Sequence, residues 1–260
     1  MQTIILCGGT GTRMKEETEF RPKPMVEVGG QPILWHIMQT YMHYGYNDFI
    51  IALGYKGDMI REFFLNWRTN ANDFTIDMKT GKKVVLTDRQ KDFKVTLVDT
   101  GLESLTGARI RRCAPYIKGK EFMLTYGDGV SDINIKNVVD FHHKQGTLAT
   151  LSGVHPKSRY GLVELNKETG IVTKFSQQPV LHEYISGGFM VFEKKAIEFF
   201  TDDEMEVGLT HMSEDKQVSM YTHEGFWKAV DTYKELEQLN ALWNDGRPWA
   251  VWEKDKNKNK

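Results

Sequence analysis

The N-terminus constrains the fold more than any other part of the chain. Thr3–Cys7 is a short apolar run rich in β-branched residues, and it leads directly into Gly8-Gly9-Thr10-Gly11-Thr12-Arg13. A buried strand followed by a glycine-rich turn is typical of α/β folds in which backbone N–H groups meet a phosphate. Arg13 adds a planar, permanently charged fork that suits a leaving pyrophosphate. The sequence therefore predicts a phosphate-binding turn after the first strand.

This turn alone leaves two explanations open, because a strand-to-helix turn also needs glycines for steric reasons. The segment matches neither the GxxxxGK[ST] of Walker-type NTPases nor the GxGxxG of dinucleotide-binding oxidoreductases. The next motif, Arg21-Pro22-Lys23-Pro24-Met25, favours phosphate binding, since two prolines restrict the backbone on both sides of Lys23. We interpret Lys23 as a catalytic cation for the phosphate under attack.

Strand and helix patterns alternate along the rest of the chain, which predicts an α/β fold with a doubly wound, Rossmann-like mixed sheet. An alternating stretch also predicts a β-hairpin insertion, an arm at about residues 70–98. The predicted helices are Pro32–Tyr44, Asp58–Trp67, Ile135–Gln145 and Tyr233–Trp243, and the predicted strands include Phe49–Leu53, Phe74–Met78, Lys83–Thr87, Phe122–Thr125 and Leu148–Gly153.

No repeat or long linker divides the chain, so we expect one domain over residues 1–260. Within it, residues 1–135 are expected mainly to bind a nucleotide and residues 136–235 mainly an acceptor. Residues 236–260 are expected to form a C-terminal helix and a charged tail, Glu253–Lys260, which we predict to be disordered.

The amino-acid composition restricts the classes of molecule that we expect the chain to bind. The 34 basic and 35 acidic side chains nearly cancel, which argues against a nucleic-acid partner and favours a small molecule. The apolar run at the N-terminus is too short for a membrane span or a signal segment. Cys7 and Cys113 form no CxxC pair, so we expect two buried thiols in a reducing cytoplasm.

Two aspartates are candidate metal ligands. Asp128 follows a predicted buried strand and lies between Gly127 and Gly129, and Asp231 ends another largely apolar run. Carboxylates from two distant segments could together hold one Mg²⁺ that bridges phosphates. A single aspartate at a strand end is more often a helix cap or turn residue, as we expect for Asp132, Asp202 and Asp203. His142-His143 is disfavoured as a metal pair because adjacent helical residues face different ways and no partner lies at i+4.

Taken together, these segments resemble the sugar-phosphate nucleotidyltransferases, and within them the glucose-1-phosphate cytidylyltransferases. The resemblance covers nearly the whole chain and implies a glycosyltransferase-A-like nucleotidyltransferase fold. The segments that carry it are Leu6–Arg13, Lys23–Glu27, Pro32–Met38, Val95–Gly101, Thr106–Arg109, Thr125–Gly129 and Gly225–Trp227.

The resemblance implies a role for each matched residue. Arg13, Lys23, Asp128 and Asp231 would be catalytic, with Mg²⁺ held by Asp128 and Asp231. The nucleotide, expected to be CTP because of the segment after Val98, would contact Leu6, Gly8, Gly9, Gly11, Thr12, Arg13, Asp99, Thr100, Thr106, Gly107, Arg109 and Asp128. The acceptor would contact Lys23, Tyr126, Tyr160, Gly161, Gln177, Gln178 and Gly187.

The chain departs from the family on the acceptor side. Gln177-Gln178-Pro179 stands where Glu-Lys-Pro is usual, and Ser186 stands where the family has Asn. A neutral amide cannot replace an ammonium at a phosphate, and the loss costs about 1.5–3 kcal/mol unless another cation compensates. Lys174 and Lys157 are candidates for that cation.

The expected reaction is CTP with α-D-glucose 1-phosphate to CDP-glucose and pyrophosphate. One alternative keeps CTP but uses another sugar phosphate, a polyol phosphate or a phosphonate. A second alternative is a nucleotide-binding regulatory protein without turnover. The resemblance also implies a bacterial role in surface polysaccharide, and a homo-oligomer, such as a trimer or hexamer, in which the hairpin arm reaches a neighbouring subunit.

Overall fold

The fold was described from a computed structural model, which covers residues 1–87 and 92–254 but not the side chains of Arg13, Lys15, Glu16 and Lys254. Its strands are β1 Gln2–Cys7, β2 Glu27–Val28, β3 Gln31–Pro32, β4 Asp48–Leu53, β5 Phe74–Ile76, β6 Lys83–Val85, β7 Lys94–Asp99, β8 Glu121–Tyr126, β9 Gly129–Ser131, β10 Ala149–Val154, β11 Leu162–Leu165, β12 Val172–Ser176, β13 Ile185–Ser186, β14 Met190–Glu193, β15 Val218–His223 and β16 Trp227–Ala229. Its α-helices are α1 Lys15–Thr18, α2 Ile33–His43, α3 Gly57–Leu65, α4 Trp67–Asn70, α5 Thr106–Cys113, α6 Ile135–Gln145, α7 Met205–Glu214, α8 Tyr233–Asn244 and α9 Val251–Lys254.

A mixed central sheet organises the molecule, in the order β13-β10-β14-β8-β1-β4-β7, with β15 also paired to β10. Strands β8, β1, β4 and β7 are parallel, whereas β14 runs antiparallel to both β8 and β10. In chain order, β4 pairs with β1 and β7 pairs with β4, and β8 then pairs with β1 on its other side. Ligands of open α/β sheets bind at such a reversal of strand order, beyond the carboxyl ends of the strands. The predicted doubly wound α/β fold is confirmed.

Side chains of the inner strands alternate between two apolar layers. Ile5 and Cys7 of β1 pack in one layer with α2, α6 and α8, whereas Ile4 and Leu6 pack in the other with α5 and α7. The alternation follows from the two-residue period of a strand, and continuous apolar runs are needed because helices cover both faces. In the described ranges, no helix is long and apolar enough to cross a lipid bilayer.

The structure corrects two predicted boundaries. β5 and β6 pair as the expected antiparallel hairpin, with Phe74 opposite Val85. The arm does not extend to residue 98, because β7 belongs to the central sheet beside β4 and its Val98 lies in the core. Glu253 is not in a disordered tail, since it lies in α9 and accepts a hydrogen bond from Arg247. Residues 255–260 of that predicted tail lie outside the described residues.

The C-terminal segment packs onto α2 around a buried histidine. His36 Nε2 lies 2.8 Å from the Val28 carbonyl oxygen, and Trp249 Nε1 donates to His36 Nδ1 at 3.3 Å. The rings of Trp243 and Trp252 also contact this imidazole. Burial lowers the pKa of His36 from 6.5 to about 4, so the ring is neutral at pH 7, which matches one donating and one accepting nitrogen.

This arrangement predicts a pH-dependent stability. The unfolded chain takes up a proton at His36 near pH 6.5 and the folded chain only near pH 4, so the contribution of neutral His36 is complete above about pH 6.5 and lost as pH falls toward 4. We expect His36→Gln, which keeps a donor and an acceptor, to reduce the stability lost between pH 7.5 and 4.5 by about 2.5 kcal/mol. Urea unfolding at both pH values measures this change. The exposed His182→Gln variant should lose as much stability as the unmodified chain, and an equal loss in His36→Gln would contradict the assignment.

Candidate active site

A cavity of about 440 Å³ opens at the carboxyl ends of β1 and β8, where the strand order reverses. It is lined by Leu6, Cys7, Gly8, Gly9, Thr10, Gly11, Thr12, Lys23, Pro24, Leu102, Glu103, Ser104, Leu105, Thr106, Arg109, Tyr126, Gly127, Asp128, Glu204 and Asp231. The glycine turn, the proline-flanked lysine and both predicted aspartates are therefore brought together. The volume suits a molecule of nucleotide size.

At the floor of the cavity, one ammonium joins the two aspartates. Lys23 Nζ donates to Asp128 Oδ2 at 2.6 Å and to Asp231 Oδ1 at 2.7 Å. Burial alone would lower the pKa of Lys23, but the two carboxylates outweigh it and raise that pKa above its usual value. Lys23 therefore stays charged and cannot serve as a general base at neutral pH.

The backbone fixes both aspartates before any ligand binds. Asp128 lies in the tight turn between β8 and β9, and β9 pairs with β16, which leads into Asp231. The Val230 N–H donates to the Asp128 carbonyl oxygen at 3.0 Å and ties the two segments together. Glu235, through its capping box with Thr232, accepts from the Asp231 N–H at 2.8 Å. The two carboxylates therefore sit on preorganised supports.

The two carboxylates have the donor chemistry of a divalent-cation site. Asp128 and Asp231 each have one carboxylate oxygen within hydrogen-bonding distance of Lys23 Nζ. The distance between these two oxygens therefore cannot exceed the sum of their distances to Nζ. Hard cations such as Mg²⁺ prefer carboxylate oxygens and usually take only one or two of them from the protein. The residues present therefore fit the cation predicted from the sequence.

The glycine turn presents free backbone donors to the cavity. The N–H groups of Gly9, Thr10 and Gly11 donate to none of the described residues. A Cβ at Gly9 would meet open space, whereas Gly11 has φ +64° and a Cβ there would come within 2.7 Å of Thr18. Gly11 is thus required by the backbone, and Gly9 leaves room for a close approach of a ligand. The Arg13 side chain lies outside what the structure describes.

Arg109 is the buried support of the cavity wall and is only 4% exposed. Its Nη1 donates to the carbonyl oxygens of Leu53 and Gly101 and to Thr100 Oγ1, and its Nη2 donates to the carbonyl oxygens of Gly8 and Leu102. One guanidinium therefore holds the glycine turn, the end of β4 and the loop after β7 in register. With so many protein acceptors, Arg109 has little capacity left for a ligand.

Three other residues expected at the nucleotide do not line the cavity. Thr100 is fully buried and donates to the Leu53 carbonyl oxygen. Asp99 accepts from the Gly101 N–H at 2.9 Å and does not line the cavity. A Cβ at Gly107 would lie 2.6 Å from the Asp203 carbonyl oxygen, so this glycine allows α5 to pack closely against that backbone. Thr100 and Gly107 therefore support the wall from behind, whereas the Asp99 side chain is 75% exposed.

Residues that the sequence argument missed complete the wall. Glu103, Ser104, Leu105 and Glu204 line the cavity. Glu204 Oε2 accepts from Thr106 Oγ1 at 2.6 Å, and Thr106 Oγ1 in turn accepts from the Met205 N–H at 2.7 Å. The start of α7 is thereby joined to the start of α5, a contact between segments about a hundred residues apart that no local motif predicts.

Two further groups in the cavity are held in their neutral forms. Burial raises the pKa of the Cys7 thiol well above its usual range, with Asp128 adding to the effect. Burial and then the Glu206 carboxylate raise the pKa of Tyr126, whose hydroxyl donates to Glu206 at 2.8 Å. A protonated thiol is a poor nucleophile, so covalent catalysis through Cys7 is disfavoured.

The predicted acceptor residues reach the centre less directly. Of that set only Lys23 and Tyr126 line the cavity. Tyr160 is 78% exposed, Gly161 packs beside Phe175 and Gln177, and Gly187 accepts from Trp227 Nε1 at 2.8 Å. Gln178 donates to the Arg159 carbonyl oxygen at 3.4 Å. The residue from this region that touches the centre is Arg159, whose Nη2 donates to Asp231 Oδ2 at 2.8 Å.

The Arg109 network predicts a large stability effect from a conservative change. Arg109→Lys cannot reach the same set of acceptors and leaves buried carbonyl oxygens unpaired, so we expect a loss of about 2–4 kcal/mol in the free energy of unfolding. Denaturant unfolding of Arg109→Lys and Arg111→Lys measures it. Arg111 forms an exposed pair with Asp202 and should cost less than about 1 kcal/mol. Equal losses in the two variants would contradict the network's importance.

Comparison with known proteins identifies the family. The family model described as "Nucleotidyl transferase" matches residues 2–257. The "Glucose-1-phosphate cytidylyltransferase" of Salmonella typhi is 42% identical over 260 residues, covering 97% of this chain and 100% of that protein. The "Probable glucose-1-phosphate cytidylyltransferase" of Bacillus subtilis is 40% identical over 257 residues, with the same coverage.

Solved structures agree with the fold. HddC from Yersinia pseudotuberculosis superposes with a TM-score of 0.68 at 21% identity, covering 93% of this chain and 99% of that one. The inositol-1-phosphate CTP transferase from T. maritima superposes with a TM-score of 0.64 at 16% identity, covering 94% and 96%. With a family model spanning almost the whole sequence and relatives at 40% and 42% identity over their full length, the chain belongs to the nucleotidyl transferase family.

Proposed function

We propose that this protein is a cytidylyltransferase that converts CTP and α-D-glucose 1-phosphate to CDP-glucose and pyrophosphate. The observation that carries the proposal is the convergence of Lys23, Asp128 and Asp231 beside an open glycine turn. The names of the full-length relatives at 40% and 42% identity support the choice of nucleotide and acceptor.

In the proposed reaction, an acceptor phosphate oxygen attacks the α-phosphorus of CTP in line, and the bond to the pyrophosphate oxygen breaks. The attacking oxygen is already anionic, so no residue needs to remove a proton. The free N–H groups of Gly9, Thr10 and Gly11 bind the triphosphate, and Gly8 and Thr12 of the same turn and Leu6 of β1 complete the nucleotide contacts. Lys23, which stays protonated, stabilises the charge on the reacting phosphate.

Asp128 and Asp231 are the proposed ligands of a Mg²⁺ ion. When bound, this ion neutralises phosphate charge and favours the in-line displacement. Arg13 keeps its predicted role at the leaving pyrophosphate. Arg109, Thr100 and Gly107 are proposed to position the nucleotide-binding wall rather than to contact CTP, because their polar groups and packing serve the protein itself. Asp99, whose side chain is 75% exposed, keeps its predicted contact with the nucleotide.

The preference for cytosine is attributed to the wall that Glu204 forms. Its Oε2 is engaged by Thr106, and its Oε1 accepts from none of the described residues. The exocyclic amino group of cytosine is a donor that a carboxylate binds well, whereas uracil and thymine present a carbonyl oxygen at that position. A carboxylate in the cavity therefore disfavours UTP and dTTP by electrostatic repulsion.

Arg159 is proposed to supply a cation for the acceptor phosphate. It reaches Asp231, the same carboxylate that Lys23 contacts, so its guanidinium lies at the edge of the reacting centre. Lys174 is a weaker candidate, because its ammonium pairs with Glu164 across the β11–β12 hairpin at 3.0 Å. Gln177, Gln178, Tyr160, Gly161 and Gly187 are left to contact the acceptor's uncharged part.

A second candidate keeps CTP but uses another phosphorylated acceptor, and Gln178 favours it. This residue bonds the Arg159 backbone and brings no charge to the centre. The wall that selects the acceptor therefore differs from the family's usual Glu-Lys pattern, while the nucleotide wall is intact. A turnover-free binding protein is disfavoured, because the described catalytic side chains of Lys23, Asp128 and Asp231 are all in contact.

The quaternary structure and location belong to the same proposal. The β5–β6 hairpin carries exposed Phe74, Ile76 and Val84, which suits contact with a second copy in a trimer or hexamer. Two free, buried cysteines suit a cytoplasmic protein. Residues 1–135 are assigned mainly to the nucleotide and residues 136–235 mainly to the acceptor.

Pyrophosphate release tests the reaction. With CTP and Mg²⁺ we expect release with glucose 1-phosphate, and we expect Asp128→Asn to lower kcat/KM by at least about 100-fold because a metal-binding charge is removed. Asp202→Asn, an exposed aspartate that pairs with Arg111, is the matched control and should keep full activity. Thermal unfolding checks that both variants fold.

A panel of other sugar phosphates, polyol phosphates and phosphonates distinguishes the two candidate acceptor classes. Release with one of these and none with glucose 1-phosphate would favour the second candidate. Full activity in Asp128→Asn would contradict the metal assignment, and CTP binding without release for any acceptor would replace the enzyme by a binding protein.

Arg159→Ala tests the acceptor cation. Loss of one charge-assisted contact of about 1.5–3 kcal/mol should raise the KM for the acceptor by about 10-fold to 100-fold, with little change in the KM for CTP. Steady-state kinetics with each substrate varied in turn measures both constants. Lys174→Ala is the control, and a larger effect on the acceptor KM in that variant than in Arg159→Ala would reverse the assignment.

A further inference from the structure

A second group of metal-binding side chains lies outside the active site. Glu121 begins β8, Glu193 ends β14, and His142 lies in the last turn of α6. A ring nitrogen of His142 and one carboxylate oxygen from each glutamate lie within 4.8 Å of one another. Neighbouring helical residues do not supply this set, which is why sequence spacing argued against His142 as a ligand. Two strands and one helix supply it instead.

The two glutamates form a like-charged pair. β8 and β14 are antiparallel, and Glu121 and Glu193 are direct partners in the register. Like charges directly opposite each other destabilise a sheet. Within the described ranges neither carboxylate has an ion pair with a lysine or arginine, and the recorded partner is His143, whose Nε2 lies 2.9 Å from Glu121 Oε1. The geometry thus leaves room for a further positive charge between the carboxylates.

His142 is oriented as a ligand for such a charge. It is 2% exposed, and its Nδ1 lies 2.8 Å from Thr150 Oγ1. Thr150 Oγ1 is 2.8 Å from Ser219 Oγ, which can donate onward to the Ala149 carbonyl oxygen. If each hydroxyl donates along this chain, Nδ1 carries the ring proton and Nε2 keeps its lone pair.

This cluster is separate from the catalytic carboxylates. Glu121 stands at the first residue of β8, whereas Tyr126, which lines the cavity, is the last. Five residue steps along a strand span about 16 Å, so the cluster lies at the opposite end of β8 from Asp128. An ion here could not take part in the transfer chemistry.

We propose that Glu121, His142 and Glu193 bind one divalent transition-metal ion, with Zn²⁺ as the best match, at a structural site that ties α6 to β8 and β14. One imidazole and two carboxylates are a donor set that Zn²⁺ accepts in tetrahedral geometry, with water or a fourth side chain completing it. Ligand atoms around such an ion are about 3.4 Å apart. The partly exposed glutamates can close the remaining gap by side-chain rotation. Glu121 also contacts His143, and His142 contacts Thr150, the outer partners expected of metal ligands.

Metal titration of the full chain tests the site. The protein is stripped with a chelator and titrated with Zn²⁺ alone by equilibrium dialysis and by calorimetry, and its Tm is followed at each concentration. We expect one ion per chain at this site, counted apart from any ion that Asp128 and Asp231 bind, and a Tm that rises with Zn²⁺. His142→Gln should weaken binding at least about 100-fold, and Thr150→Val, which removes only the outer partner, about 10-fold to 100-fold. Glu193→Gln is a second ligand variant in case His142→Gln fails to fold.

Control variants separate this site from other sources of Zn²⁺ binding. His211→Gln removes an exposed histidine and should leave the affinity unchanged. The double variant Asp128→Asn and Asp231→Asn removes the active-site carboxylates and should also bind one ion at the same affinity. Equal binding by His142→Gln, Glu193→Gln and the unmodified chain would overturn the proposal. Loss of the ion in the active-site variant, or no stoichiometric binding at all, would overturn it as well.

Discussion

The double contact of the Lys23 ammonium with Asp128 and Asp231 is the interaction on which the rest of the site depends. It joins residues that are 105 and 208 positions apart in the chain. Two carboxylates this close would repel each other without a cation between them. Lys23 supplies that cation from a segment held by two prolines, and β9 and β16 bring the aspartates to it. The geometry of the candidate active site is therefore set by charge compensation as well as by the sheet.

A second buried cation supports the same cavity by different chemistry. Arg109 forms no ion pair with a carboxylate of the described residues, and its guanidinium is instead satisfied by four carbonyl oxygens and one hydroxyl. Burial is the main cause that lowers its pKa, and the nearby Arg112 adds to the effect. A planar group with five donors can hold several loops at once, which the point charge of a lysine cannot. Lys23 therefore compensates the charge of two carboxylates, whereas Arg109 holds the loops of the wall in position, although both are cations on the wall of one cavity.

Whether the sequence could predict a part of this site depends on how far apart along the chain the interacting residues lie. The glycine turn, the proline-flanked Lys23 and the strand-end Asp128 are local patterns, and Asp231 was recognised by its similar setting. The structural roles of Arg109 and Thr100 could not be predicted, because their partners are backbone atoms of distant loops that exist only after folding. Glu204 was missed for the same reason, because its contact with Thr106 joins the starts of two helices that are distant in sequence. Boundaries were wrong at β7, which pairs with β4 in the central sheet and not with the arm, and at α9, a separate helix whose Val251 and Trp252 pack into the core.

The acceptor side shows how one substitution can be understood through its neighbour. Gln178 has φ +47°, and its amide donates to the Arg159 carbonyl oxygen, so it supports the loop from which Arg159 extends to Asp231. A lysine at 178 would add a third cation near a centre that already holds Lys23 and Arg159 against two carboxylates. We infer that the positive charge of the acceptor wall resides at Arg159 and that Gln178 orients its backbone. Asp231 contacts both Lys23 and Arg159, so one carboxylate joins the cation beside the glycine turn to the cation of the acceptor side.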